Sequence, residues 1–235
     1  MSTMTARERI LGKLRAAAPA PTHDAAALQH SIDLHYADSA LRSASPKQLA
    51  DRLQSVMASV RTDVWRADAQ SWPQLLAEKL AEAGVKRLLL DHGRKEGAAL
   101  AAALPESVQT QSYTQPIEQW KAELFNSIDA GFTVARSGIA ATGTLIVVPD
   151  AGTPRTVSLV PPLHIALVYA STLYADMHAA ARSEGWSNGM PTNLVMISGP
   201  SKTSDIQQTL AYGAHGPRAL WLIIVDDVAE QGGAA

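Results

Sequence analysis

Apolar residues recur along the chain with a spacing that changes near residue 46. Over 5–17 the pattern is helical, because Ile10, Leu11 and Leu14 share one face. Residues 18–45 carry Pro, Ser, Asp and His with weak periodicity, which favours an extended arm with one short helical turn. We therefore expect an N-terminal helix and arm over 1–45, ahead of the main domain.

From residue 46 onwards, segments with helical spacing alternate with short apolar runs. Helices are predicted over 46–60, 72–83, 95–103, 117–124, 172–184 and 203–211. Strands are predicted over 64–65, 86–90, 108–113, 133–135, 164–168, 194–197 and 219–225. This alternation is typical of an α/β fold, with a mostly parallel Rossmann-like sheet and helices on both faces. The main domain is expected to span 46–228, followed by a flexible tail over 229–235.

Residues 138–170 interrupt the alternation. The apolar runs 144–148 and 164–168 lie too close together for a full crossover helix between them. Gly143 is placed to turn a hairpin, and 149–154 reads as a loop. We therefore expect an antiparallel hairpin excursion within the α/β domain.

The composition excludes several classes of function. A net charge of -2 over 235 residues gives no electrostatic footprint for nucleic acid or an anionic membrane. The chain has no cysteine, which excludes disulfides, cysteine nucleophiles and thiolate-bound iron–sulfur clusters on this chain. No apolar run is long enough to span a bilayer, and the first residues lack the apolar core of a secretory signal. We expect a cytoplasmic protein.

The stretch SGPSKTSDI, residues 198–206, is the first candidate for chemistry. It follows a predicted strand and precedes a predicted helix, where unpaired N–H groups and the helix dipole favour an anion. Gly199 would allow close approach to the backbone, and Ser201 and Thr203 add hydroxyl groups. The alternative is that Ser201 or Thr203 only caps the helix while Asp205 completes its first turn. The residues alone leave both interpretations open.

Further candidates lie on three other segments. His215, beside Gly216 on a loop, is either a ligand contact or a structural histidine. Thr142, Gly143 and Thr144 form either a small nest of donors or a plain hairpin turn. Arg155 is suited to bidentate carboxylate or phosphate binding but also to simple solvation, and His164 belongs either to the core or to a site. No metal-ligand spacing, nucleophile elbow or dinucleotide fingerprint is present, so no metal is expected.

Taken together, these segments resemble the LUD-domain family, and within it the lactate-utilisation members. The resemblance covers about residues 45–228 and rests on IAATGTLIVV (139–148), SLVPPLHIALV (158–168) and ISGPSKTSDIQQTLAYGAHGP (197–217). Positions that match the family pattern are Thr142, Gly143, Thr144, Arg155, His164, Ser198, Gly199, Pro200, Ser201, Thr203, Asp205, Gly213, His215, Gly216 and Pro217. One position departs from it, since Ala141 stands where the family often has an acidic residue.

The resemblance implies a fold like that of ribose-5-phosphate isomerase and the CoA-transferases. It also implies membership of a cytosolic system that oxidises L-lactate to pyruvate, with iron–sulfur clusters on partner proteins and no cofactor on this chain. On this view the chain is a non-redox subunit that binds a small anionic ligand. The alternatives are an independent sugar-phosphate isomerase-like or CoA-transferase-like enzyme, or a non-catalytic sensing or assembly module. An independent enzyme would need Asp205 or His215 as its catalytic group.

Overall fold

The computed structural model describes residues 5–17, 24–37, 40–204 and 210–228. The chain divides into two compact units, Met1–Ser39 and Ala40–Ala235. The predicted tail over 229–235 lies outside the described residues. In the described ranges, no helix is both long enough and apolar enough to cross a membrane.

The first unit contains two helices, α1 (Ala6–Ala17) and α2 (Ala25–Ala37). The first confirms the helix predicted over 5–17. The second corrects the prediction of an arm with one short turn, because α2 has 13 residues. Leu28 and Ile32 repeat at helical spacing there, but the alanines and histidines around them dilute the apolar pattern.

The second unit contains six further helices and twelve strands among the described residues. The helices are α3 (Pro46–Ser59), α4 (Trp72–Glu82), α5 (Lys95–Ala103), α6 (Ile117–Asn126), α7 (Thr156–Leu159) and α8 (Met177–Ser183). The first seven strands are β1 (Thr62–Asp68), β2 (Arg87–Leu89), β3 (Gln109–Gln111), β4 (Ala130–Val134), β5 (Ser137–Ile139), β6 (Thr144–Val147) and β7 (Leu163–Tyr169). They are followed by β8 (Leu173–Tyr174), β9 (Val195–Ile197), β10 (Lys202–Ser204), β11 (Leu210–Tyr212) and β12 (Ala219–Asp226).

A six-stranded sheet forms the centre of this unit, in the order β1-β12-β7-β4-β2-β3. Every pair in it is parallel. Its central strands are apolar on both faces, so β7 and β12 are buried almost throughout. One face packs against α3 and the other against α4 and α5. This confirms the predicted α/β architecture.

A second, four-stranded sheet has the order β8-β5-β6-β9. Strands β5 and β6 form the predicted hairpin, antiparallel around residues 140–143, and β9 pairs antiparallel with β6. Alternation along β6 turns Leu145 and Val147 towards α3 and Ile146 towards α8. The antiparallel excursion is therefore larger than the hairpin that the sequence predicts.

Helix α3 joins the two sheets, and its sequence explains where it begins. Ser45 and Gln48 form a capping box, in which the Ser45 side chain accepts from the Gln48 amide and the Gln48 side chain accepts from the Ser45 amide. Pro46 occupies the first turn, where its missing N–H costs nothing. Leu53 and Met57 are fully buried, each contributing about 1.5–3 kcal/mol to stability.

One predicted helix is wrong, and another begins five residues later than predicted. A helix was predicted over 203–211, but residues 202–204 and 210–212 form strands β10 and β11, which pair antiparallel. Residues 205–209 lie outside the described residues. Of the residues in β10 only Thr203 has a strong strand preference, so the helical spacing of 206–211 outweighed it in the prediction. Over 172–184, strand β8 comes first, and α8 begins only after Asp176 caps it by accepting from the Ala179 amide.

Candidate functional site

A small cavity lies beside the amino ends of β7 and β12, at the end of β9. Its volume is about 180 Å³. Pockets for drug-sized ligands measure roughly 300–1,000 Å³, so this one suits a ligand of few heavy atoms. The sequence predicts that residues 198–206 lie between a parallel strand and a helix, and this placement is wrong. Strand β9 belongs to the antiparallel sheet, and residues 202–204 after it form a strand instead of a helix.

Three of the segments singled out in the sequence converge on this cavity. Its lining residues are Ser158, Leu159 and His164 from the first, Val195 to Ser201 from the second, and His215, Gly216, Pro217 and Leu220 from the third. Two backbone hydrogen bonds hold the last two segments together: the Ser201 amide donates to the Pro217 carbonyl, and the Gly213 amide donates to the Ser201 carbonyl. The cavity is therefore built from residues far apart in sequence.

The fourth segment, the hairpin turn, reaches the cavity through a row of hydroxyl groups. The Thr144 hydroxyl lies 2.8 Å from the Ser198 hydroxyl and 2.7 Å from that of Thr142. Thr144 is buried, whereas Ser198 is exposed on the cavity wall. Buried hydroxyl groups need partners, so this row fixes the position of Ser198.

Two glycines of these turns adopt backbone angles that other residues avoid. Gly143 has φ +63° and Gly199 φ +133°. A Cβ at Gly143 would lie 2.6 Å from Val56 Cγ1, and one at Gly199 would lie 3.2 Å from Val60 Cγ2. Both turns therefore pack closely against the end of α3, and the backbone angles there favour glycine.

The described lining is made of apolar and polar side chains. It combines apolar side chains with the hydroxyl groups of Ser158, Ser198 and Ser201 and the imidazoles of His164 and His215, and it holds no Lys, Arg, Asp or Glu among the described residues. An anion bound here would be held by hydrogen-bond donors rather than by a fixed cation.

The two histidines differ in their surroundings. His164 is only 1% exposed, and its Nε2 lies 2.8 Å from the Thr133 hydroxyl. Burial lowers the pKa of His164 to about 3, because a charged imidazole loses its hydration there. His164 is therefore neutral at physiological pH. His215 also lines the cavity but is exposed.

The remaining predicted site residues are not all brought together. Arg155 is exposed and does not line the cavity; the Ser158 side chain donates to its carbonyl. Thr203 lies on β10, half-buried, and does not line the cavity either. Asp205 lies outside the described residues.

Sequence reasoning missed Thr133, Ser158 and Leu159. Ser158 and Leu159 stand in the SLVPPLHIALV segment, one turn before the strand that carries His164. Thr133 is a polar residue in the buried strand AGFTV, and its side chain is only 3% exposed. A polar residue within an apolar run is a signal that its hydroxyl has a buried hydrogen-bond partner.

No group of three or more His, Cys, Asp or Glu side chains suited to hold a metal ion occurs in the described part of the chain. The ion pairs of Arg94 with Asp150 and of Arg136 with Glu184 lie outside the lining of the cavity.

Comparison with known proteins places this chain in a family. A family profile described as the LUD domain matches residues 48–225. An uncharacterised protein of Neisseria meningitidis serogroup B is 39% identical over 224 residues, which are 94% of each chain. A protein of Shouchella clausii named lactate utilization protein C is 30% identical over 195 residues, covering 80% of this chain and 83% of that protein. One of the same name from Oceanobacillus iheyensis is 25% identical, covering 94% and 98%.

The fold has a counterpart among solved structures. The crystal structure of a DUF162 family protein from Deinococcus radiodurans superposes with a TM-score of 0.57 at 21% identity. The match covers 77% of this chain and 98% of that one. At this identity the likeness establishes the fold alone.

Proposed function

The chain belongs to the LUD-domain family, and on that premise we propose that it takes part in lactate utilisation by binding a small monocarboxylate, L-lactate or pyruvate, in the cavity between β7, β9 and β12. Relatives that match most of the chain carry the name lactate utilization protein C, which supports the metabolic context. The convergence of three separated segments on one small cavity is the observation that carries the ligand-binding part.

The character of the cavity favours this class of ligand. Apolar walls from Leu159, Ile197 and Leu220 suit a methyl group, and the hydroxyl and imidazole groups suit carboxylate oxygens. A phosphate carries more charge, and sites for it typically supply Arg, Lys or a helix N-terminus. None of these lines the cavity among the described residues.

In this proposal the chain is the non-redox member of the system. It has no cysteine for iron–sulfur clusters, so partner proteins would carry the clusters and the electrons from lactate. This chain would hold the substrate or the product for them.

Calorimetric titration with L-lactate, pyruvate and inorganic phosphate tests the ligand. We expect one monocarboxylate to bind and phosphate not to bind. The Ser198→Ala and His215→Ala variants should each weaken binding, and Thr110→Val, on the far strand β3, should leave it unchanged. Binding of phosphate or a CoA thioester in preference would instead favour the isomerase-like or transferase-like enzyme.

Co-purification with the iron–sulfur proteins of the same organism's lactate system tests the partner. We expect a tagged chain to retain proteins with iron–sulfur absorbance, and deletion of the gene to abolish growth on L-lactate. A chain that stays alone, in cells that still oxidise lactate without it, would contradict the proposal.

A further inference from the structure

The pair formed by Thr133 and His164 links a central strand to the cavity wall. His164 is the second residue of β7, and Thr133 lies on the neighbouring strand β4, where Gly131 is the register partner of His164. Both side chains are buried, at 3% and 1% exposure, and the hydroxyl oxygen and Nε2 are 2.8 Å apart.

The hydroxyl group decides which ring nitrogen carries the proton. Within the described residues, the Nε2 atom is the hydrogen-bond partner of the Thr133 hydroxyl. If Nε2 donated to the oxygen, the hydroxyl proton would be left buried without an acceptor, which is unfavourable. If the hydroxyl donates to Nε2 instead, its proton is satisfied, and the single proton of a neutral ring must lie on Nδ1.

We propose that Thr133 fixes His164 as the Nδ1–H tautomer, and that this N–H donates to a carboxylate or carbonyl oxygen of the ligand. Thr133 is thus a positioning residue for the cavity, and the ligand part of this inference rests on the proposed function. The described lining holds no Lys or Arg, so the N–H of a neutral His164 ring is well suited to hold the anion there. Because burial keeps the ring neutral, the donor persists across the physiological pH range.

The tautomer is measured without any ligand. In protein labelled with ¹⁵N-histidine, long-range ¹H–¹⁵N correlation spectra distinguish a protonated Nδ1 from a protonated Nε2. We expect the His164 ring to show protonated Nδ1 in the wild type and in Thr133→Ser, which keeps the hydroxyl. Thr133→Val should shift the ring towards the other tautomer.

A matched control is available on the surface. The His92 Nε2 lies 3.1 Å from the Thr110 hydroxyl in an exposed pair of the same chemistry. Thr110→Val removes an equivalent hydroxyl away from the cavity, so it should change the His92 ring signals and leave those of His164 unchanged.

Affinity for pyruvate and L-lactate then tests the role in binding. Thr133→Val should weaken binding about 5- to 10-fold, as loss of one well-placed hydrogen bond does, whereas Thr133→Ser and Thr110→Val should stay within about twofold. A wild-type ring protonated on Nε2, or a Thr133→Val protein with unchanged tautomer and affinity, would overturn the inference. If neither acid binds the wild type, the proposed function fails together with the ligand half of the inference, and the spectra alone decide the tautomer half.

Discussion

The Thr144 hydroxyl lies 2.8 Å from the Ser198 hydroxyl, and this contact joins the β5–β6 turn to the Gly-Pro turn after β9. The two residues face each other across the β6–β9 pair, since Leu145 and Ile197 are register partners and Thr144 and Ser198 flank them. The hairpin turn thus acts on the cavity by supporting Ser198.

This contact predicts coupled losses in Thr144→Val and Ser198→Ala. Each variant should lower the free energy of unfolding by about 1 kcal/mol, because each removes a part-buried hydrogen bond. The double variant should lose less than the sum, with a coupling of about 0.5–1 kcal/mol. Urea denaturation of the four proteins measures the cycle. Strict additivity would contradict the contact, and Thr144→Val combined with Thr110→Val, on the other sheet, provides the additive reference.

Gly143→Ala should destabilise the protein more than Gly84→Ala does. Both glycines have a left-handed φ, +63° and +69°, so both substitutions strain the backbone by about 1 kcal/mol. Only at Gly143 would the new methyl group meet a side chain, Val56, at 2.6 Å; at Gly84 nothing lies within 4 Å. The difference, measured by chemical denaturation, should be about 1–3 kcal/mol. Equal losses would show that the turn does not pack tightly against α3.

His164 should make the folded state less stable in acid. Burial lowers the pKa of the ring to about 3 in the folded chain, whereas it is about 6.5 in the unfolded chain. Between these values the unfolded chain binds the extra proton, so stability falls as the pH falls, by about 1.4 kcal/mol per pH unit. Above about pH 6.5 this contribution is constant.

The His164→Gln variant provides the comparison for that slope. All other titrating groups are shared, so the difference in unfolding free energy between the two proteins isolates the ring. We expect the wild-type curve to be steeper between about pH 4.5 and about pH 6.5, measured by urea denaturation at fixed ionic strength. Parallel curves would mean that His164 is hydrated or charged in the folded protein.

The layered architecture follows from the sequence because its signal is local and repeated. The strand that carries Leu88 and Leu89, and the helix that begins at Pro46, are defined by apolar spacing and by capping residues. The hairpin around Gly143 was predicted for the same reason: a turn residue stands between two apolar runs.

The region after β9 was not predictable in the same way. Residues 206–211 have helical spacing, yet Leu210 to Tyr212 pair with Lys202 to Ser204 as strands. Strand preference depends on a partner strand, which local spacing does not reveal. The candidate segments were singled out from their residues and by resemblance. Their meeting at the amino ends of β7 and β12 depends on strand order, which no single segment encodes.

The contact between Thr133 and His164 could not be predicted from the sequence either. His164 was a candidate, but its neutral state comes from burial between strands, and its partner stands 31 residues earlier in the chain. Only the register of β4 and β7 brings the two together.

A two-dimensional ¹H–¹⁵N titration of the labelled protein with pyruvate tests the central claim most directly. If the cavity is the ligand site, the backbone amide signals of Ile197, Ser198, Gly199, Ser201, His215, Gly216 and Leu220 should shift with one common dissociation constant. They should shift less in Ser198→Ala. Signals at the opposite edge of the six-stranded sheet, at Asp91 and Arg94, should stay in place. Shifts concentrated at Asp91 and Arg94, or none at saturating pyruvate and L-lactate, would contradict the account.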